Sequence, residues 1–304
     1  MNLNTSTKYL PIYEALASKV RLSIIDLLAH ESLNIKEIAE RLDLSNAMIT
    51  SHIRKLEEAG IIFSERKSTG NAMQKLCHLK LDQLHIQLNR TTSSHQDYHE
   101  FSLPVGHYTD FNVTPTCGIA TVESVIGRFD DPRYFLDPAR VNAQILWFTE
   151  GYVEYRVPNY LSANQFPKEL AITLELCSEA PGINPHWLSD ITFFLNEKSL
   201  GTWTSPGDFG GKKGLLTPDW WSLEVGQYGL LKTLRITSEG SFMDQEKISD
   251  TTLSDLQISG KYWSFRIAVL KDAPHMGGVT LFGKDFGNHN QDILFRLYYE
   301  TKET

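Results

Sequence analysis

Residues 35–63 read IKEIAERLDLSNAMITSHIRKLEEAGIIF, and the fold follows from how this stretch divides. Ile35–Leu42 has helical apolar spacing, with Ile38 and Leu42 on one side. Asp43-Leu44 makes a tight turn. Ser45 then stands where a short hydroxyl side chain can accept one of the open backbone N–H groups of a new helix. That helix, 46–59, keeps Ile49, Ile53 and Leu56 on one face for packing. Its other face offers Asn46, Ala47, Met48, Thr50, Ser51, Arg54 and Lys55. Gly60 ends it, because glycine tolerates the left-handed backbone that closes a helix. Ile61-Ile62-Phe63 begins a strand, Ser68-Thr69-Gly70-Asn71 turns, and 74–80 returns. The expected unit is helix, turn, helix and β-wing, with Arg66, Lys67 and Lys75 near the wing tip.

A helix about 10–12 Å across can enter the major groove of DNA, where small polar residues near its start approach base edges. Lysine and arginine on the wing and on later helix turns contact phosphates, which fix register without reading sequence. The expected DNA-contacting residues are therefore Ser45, Asn46, Ala47, Met48, Thr50, Ser51, Arg54, Lys55, Arg66, Lys67 and Lys75. A helical module used only for protein contacts would leave the basic wing and the groove-sized helix without a purpose. Three further stretches carry a family resemblance: Ala15-Leu16-Ala17-Ser18-Lys19-Val20-Arg21-Leu22-Ser23-Ile24-Ile25, Ile38-Ala39-Glu40-Arg41-Leu42, and Ser51-His52-Ile53 followed by Leu56, Ala59, Gly60 and Ile61. Over about residues 10–80 the chain resembles the ArsR family of bacterial repressors. The resemblance implies a dimeric winged helix that binds palindromic double-stranded operators and releases them when an effector binds. It also implies that a helix over 11–30 and a short helix around 81–88 form the dimer. Many members sense metals through cysteines on the helix before the recognition helix. Here that helix reads Ile35-Lys36-Glu37-Ile38-Ala39-Glu40, so that metal site is not expected.

The 304 residues suffice for about two domains. Net charge is +2 over residues 1–90 and −10 over 91–304, which suits a chain that touches a polyanion only through its head. The opening MNLNTSTKYLP has no basic segment followed by an apolar one, and no apolar run reaches the roughly 18–20 residues of a membrane helix. Three scattered cysteines, Cys77, Cys117 and Cys177, make no disulfide framework. A cytoplasmic protein without membrane contact and without a cofactor is expected.

Beyond residue 140 the apolar period becomes two. Leu170, Ile172, Leu174 and Leu176 alternate with other residues, as do Ile293, Phe295, Leu297 and Tyr299. Strands are expected at 144–148, 152–157, 191–195, 199–203, 230–237 and 263–269, with a hairpin at Asn196-Glu197-Lys198. No long helix interrupts them. The fold class is thus α+β multidomain: a winged helix-turn-helix over 1–92, then an all-β sandwich or jelly roll over 93–304. The polar stretch 89–97 is the expected linker.

Two segments of the body, 204–221 and 271–291, hold 8 of the 20 glycines and read as loops. Aromatic faces beside carboxylates and amides suit a sugar, whose C–H face packs on a ring while its hydroxyls bond to acids. The expected effector is a carbohydrate or similar polar metabolite, with candidate ligands Trp187, Trp203, Asp208, Asp219, Trp220, Trp221, His275, Asn288, His289 and Gln291. Against this stands a body whose tryptophans simply close the ends of a sandwich. The body also resembles the C-terminal part of some long ArsR-like regulators, which implies control of carbohydrate-use genes. Lower-ranked readings are a metal held by His95, His99, His107 and Cys117, and calcium at Asp208, Asp219 and Asp285. A rival function class is a jelly-roll glycoside-processing enzyme using Glu150, Glu154 or Glu175, and another is a protein-interaction body. No nucleophile elbow, phosphate loop or zinc-protease motif is present, so no catalytic residue is expected.

Overall fold

A computed structural model describes residues 2–69, 72–81, 84–87, 97–256, 258 and 260–302. The chain packs as two units, Met1–Ser94 and His95–Thr304, each around its own core. None of the described helices is long and apolar enough to cross a membrane.

The head runs β1 (Asn2–Asn4), α1 (Leu10–Leu16), α2 (Lys19–His30), β2 (Leu33–Asn34), α3 (Ile35–Leu42), α4 (Asn46–Glu58), β3 (Ile62–Thr69), β4 (Ala72–Leu79) and β5 (His85–Gln87). The 11–30 stretch is two helices, not the single one expected. Ser18 is extended, with φ −154° and ψ 123°, and starts α2. The buried Arg21 then reaches back, its guanidinium donating to the carbonyls of Ala15 and Glu14 at 2.6 Å each. Those two bonds satisfy acceptors at the end of α1 that a helix terminus otherwise leaves open. The helix expected around 81–88 is corrected as well, for His85–Gln87 is a strand. It pairs in parallel with Asn2–Asn4, and Leu3 joins the head's core. A helix that short has little stability of its own, whereas strand pairing satisfies the same backbone groups. Of the expected linker, 89–96 lies outside the described residues, and Asp97 opens the first strand of the body.

The body consists of β6 (Asp97–Leu103), β7 (Asp110–Ala120), β8 (Ile145–Pro158), β9 (Gln165–Cys177), β10 (Ser189–Leu195), β11 (Lys198–Ser205), β12 (Leu230–Thr237), β13 (Gly240–Met243), β14 (Glu246–Ser249), β15 (Tyr262–Val269), β16 (Val279–Phe282) and β17 (Ile293–Thr301). One sheet is ordered β11-β10-β15-β8-β7 and the other β6-β17-β9-β12-β13-β14. The short β16 hydrogen-bonds to both β8 and β9 and joins them. The sheets face each other across one apolar core, where Phe265 of β15 meets Phe295 of β17 edge-on at 5.5 Å between ring centroids. This is the all-β sandwich the period-two pattern predicts. Asn196 and Glu197 both take left-handed backbone, φ 48° and 66°, between the paired Leu195 and Lys198. Such a two-residue turn matches the twist of its flanking strands. Segment 271–291 is not all loop. Its Val279–Phe282 is a strand buried at every position, so it carries no alternation to read.

Candidate functional site

The outer face of α4 is built by its ends. The Ser45 hydroxyl accepts from the Met48 amide at 3.3 Å and starts the helix. At the other end Gly60 is left-handed (φ 69°), its amide bonding to the Glu57 carbonyl at 2.9 Å and the Ile61 amide to the Leu56 carbonyl at 3.0 Å. These two reverse bonds close the last turn. Ile49, Ile53 and Leu56 are fully buried, so the helix cannot rotate about its axis. The opposite face is thereby fixed outward, and Ser45, Asn46, Ala47, Met48, Thr50, Ser51, Arg54 and Lys55 are all exposed. At 13 residues this rod is about 20 Å long. On the wing Arg66 and Lys67 are exposed, while the tip residues 70–71 lie outside the described set.

Three contact candidates have engagements the sequence does not disclose. Thr50 donates its hydroxyl to the Asn46 carbonyl at 2.7 Å. Arg54 pairs with Glu58 at 2.8 Å in an exposed i,i+4 bridge that a phosphate can displace at little cost. Lys75 reaches from β4 to Glu57 of α4 at 2.8 Å, and so braces the wing against the helix. Cys77, also on the wing, is fully buried and packs in the head's core.

In the body the glycine-rich segment 271–291 and Gly229, just before β12, converge on a buried acid. The Glu175 carboxylate accepts from the backbone amides of Gly229 (2.8 Å), Asn288 (2.9 and 3.1 Å) and His289 (2.8 Å). Gly287, at φ 76°, comes so close that a Cβ there would lie 2.4 Å from Glu175 Oε1. Glu175 is thus a bracket for loops. Burial outweighs its amide partners and pushes its carboxyl up to about 7.

Most of the predicted ligand residues have partners within the body. Trp220 donates its indole N–H to the Val122 carbonyl at 2.6 Å, and Trp203 packs beneath Lys232, whose ammonium lies 5.2 Å from the ring centroid. Asp219 is paired with Lys213. His275 bonds to Asp190 at 3.1 Å. Asn288 accepts from the Leu215 amide at 2.9 Å and Gln291 donates to the Thr173 carbonyl at 3.4 Å. With Trp187 and His289, these residues are not among those lining a cavity of the body that two other predicted residues do line. The polar groups of Trp220, Asp219, His275, Asn288 and Gln291 tie loops together, which sequence alone cannot distinguish from reaching for a ligand.

That cavity measures ≈ 180 Å³ and includes two of the predicted residues, Asp208 and Trp221. Its aromatic wall is Phe129, Trp147 and Trp221. The Trp147 and Trp221 rings are 5.7 Å apart at 68°, and Phe129 lies 5.5 Å from Trp147. Its acids are Asp130, Glu179 and Asp208. Glu179 lies two residues after β9 and is held by two hydroxyls, from Thr116 (3.3 Å) and Thr280 (3.0 Å). Burial, with Asp208 adding repulsion, pushes Glu179 up to about 8. Asp208 is buried, its Oδ2 accepting from the Ala180 amide at 3.1 Å. Its Oδ1 has no hydrogen-bond partner among the described residues. Burial pushes Asp208 up to about 6. Sequence reading passes over Phe129, Trp147 and Glu179. Their only signal is a Glu-Ala-Pro-Gly turn just after an apolar strand, which is weak.

The remaining candidates separate. Glu154 bonds Arg266 at 2.7 Å, and Glu175 accepts from loop amides. His99 lies in β6, extended rather than helical, stacked on Tyr299 at 4.6 Å, while His95 lies outside the described residues. Among the described residues no three His, Cys, Asp or Glu side chains group as metal ligands.

A rigidly capped helix with a polar outer face, followed by a two-stranded wing, defines the class of winged helix-turn-helix DNA-binding proteins. Residues 16–63 match the family model described as a helix-turn-helix domain. An uncharacterized HTH-type transcriptional regulator of Methanocaldococcus jannaschii is 33% identical over 67 residues, 22% of this chain and 70% of that protein. The structure of HlyU from Vibrio cholerae is 23% identical, with a TM-score of 0.22 over 25% of this chain and 77% of its own. The CBM36-1 domain of a multidomain xylanase, from the hindgut metagenome of Trinervitermes trinervoides, is 9% identical, with a TM-score of 0.29 over 68% of this chain and all (100%) of its own. The chain belongs to the helix-turn-helix transcriptional regulators.

Proposed function

We propose that this regulator is a non-enzymatic cytoplasmic repressor, acting as a homodimer on a palindromic operator and controlled by a carbohydrate or similar polar metabolite bound in the body. The observation that carries the effector reading is the cavity itself, in which indole faces and two buried carboxyl groups meet. An indole face packs on the C–H face of a sugar ring, and a carboxyl oxygen accepts from its hydroxyls. At ≈ 180 Å³ the chamber is smaller than sites for drug-sized ligands, which suits a ligand of monosaccharide size or less. Leu10, Leu22 and Ile86, all exposed on the head, support pairing of two copies there. Effector binding shifts operator affinity, and the operator shifts effector affinity by the same factor.

Titration of the full-length chain with a panel of monosaccharides, read by tryptophan fluorescence, tests the effector site. Binding that is lost in Trp147→Ala supports it. No response to any sugar, together with operator binding unchanged by all of them, removes it. On the head, Arg54→Ala or Lys67→Ala is expected to weaken operator binding severalfold and to reduce the slope of log K against log salt by roughly one each. Asn46→Ala or Thr50→Ala is expected instead to alter sequence preference. Unchanged binding in both sets would show that α4 is not the reading helix.

A further inference from the structure

The chamber lined by Trp147, Trp221, Glu179 and Asp208 has a charge character that a neutral sugar does not answer. Three acids line it, Asp130, Glu179 and Asp208, and among the described residues lining it there is no lysine, arginine or histidine. Buried charges are ordinarily paired, because an unpaired ion loses its hydration without replacement. Here the pairing is incomplete in a specific way. Asp208 is 1% exposed; its carboxyl group meets the amides of Ala180 and Phe209, and its Oδ1 makes no hydrogen bond among the described residues. The hydroxyls of Thr116 and Thr280 bond Glu179 but carry no charge.

We propose, building on the reading of this chamber as the effector site, that the effector is an amino sugar whose protonated amine sits between the carboxyl groups of Glu179 and Asp208. An ammonium brings three donors and one positive charge. It satisfies Asp208 Oδ1 and compensates the acids in the same step. A hydroxyl satisfies the oxygen but leaves the charge. The aromatic wall points the same way, since indole faces attract cations as well as C–H groups. Phosphorylated and carboxylated sugars are disfavoured, since an anion finds no cation in the lining and would meet acids instead. The free chamber is in keeping with this, because burial and mutual repulsion leave Glu179 holding its proton at neutral pH. An arriving cation favours the ionised acid, so binding releases a proton.

The test is calorimetric titration of the full-length protein with glucosamine and with glucose at pH 7, in two buffers of different ionisation enthalpy. The two probes differ in a single substituent, ammonium against hydroxyl. Glucosamine is expected to bind at least about tenfold more tightly and to release protons on binding. Glu179→Gln and Asp208→Asn are both expected to abolish that preference. Having two variants keeps the test intact if one fails to fold. Glucose binding as tightly as glucosamine, or a preference for glucosamine that survives both substitutions, overturns the amine and leaves a neutral-sugar site. Failure of both sugars to bind at millimolar concentration overturns the amino-sugar proposal, and the monosaccharide panel read with operator binding then decides whether the effector reading falls as well.

Discussion

Replacing Glu175 by alanine is expected to destabilise the body by roughly 3–5 kcal/mol, a large part of the 5–15 kcal/mol that holds an ordinary domain folded. The reason lies in what the carboxylate holds. Three backbone amides, of Gly229, Asn288 and His289, converge on it from two loops remote in sequence. Each amide left buried without an acceptor costs about 1–3 kcal/mol. Glu175→Gln keeps the shape and one acceptor oxygen but presents an NH₂ group to amides that need an acceptor. Its loss is expected to be smaller, roughly half. Chemical denaturation followed by tryptophan fluorescence reads the body, which holds all six tryptophans. A loss below about 1 kcal/mol in the alanine variant would show that water replaces the carboxylate, and that Glu175 is not the bracket described.

The head was legible from sequence because its signals are local. Ser45 and Gly60 announce the ends of α4 through backbone chemistry confined to a few residues, and Ile49, Ile53 and Leu56 mark its buried face. Where the head defied its pattern, the cause was a contact at longer range. Arg21 breaks the first helix by bonding six and seven residues back, and Leu3 recruits residues 85–87 into a strand. The body was legible as strands but not as a site. Alternation located β9, β12 and β17, and it failed at β16, where both faces are covered. Aromatic and acidic residues in glycine-rich loops mark where the chain turns, yet they do not tell whether an indole N–H or carboxylate faces inward to a loop or outward to a ligand. Trp220 and Trp221 are neighbours in sequence, yet only Trp221 lines the cavity. The wall it completes comes from Phe129 and from Trp147, about 90 and 70 residues earlier in the chain. Nothing local to either residue records that meeting.

The stability of the body is expected to fall as pH rises from about 5 to about 8, above the range where its acids of lowered pKa titrate. Three carboxyl groups set this direction. Asp208 is raised from 3.8 to about 6, Glu175 from 4.5 to about 7 and Glu179 from 4.5 to about 8. In each case burial is the leading cause. Glu179 also feels Asp208 and Asp130, and meets only the hydroxyls of Thr116 and Thr280 in return. Glu175 faces three amides, and Asp208 the amides of Ala180 and Phe209. A group whose folded pKa exceeds its unfolded value binds more protons folded than unfolded between the two. Its contribution is therefore complete below the unfolded value and is lost as pH climbs through the folded one. Each tenfold difference in proton affinity is worth about 1.4 kcal/mol, so a fall on the order of one such step per group is already easily measured. Glu179→Gln removes the group that titrates highest. Its expected signature is a flatter profile between pH 6 and 8, with the variant gaining on the native chain at the alkaline end. Urea denaturation at pH 5, 6, 7 and 8 supplies the comparison. A native profile that stays level or rises over that interval would mean that Glu175, Glu179 and Asp208 are solvated in the folded protein, and the chamber that confines two of them would be wet and open rather than built for a ligand.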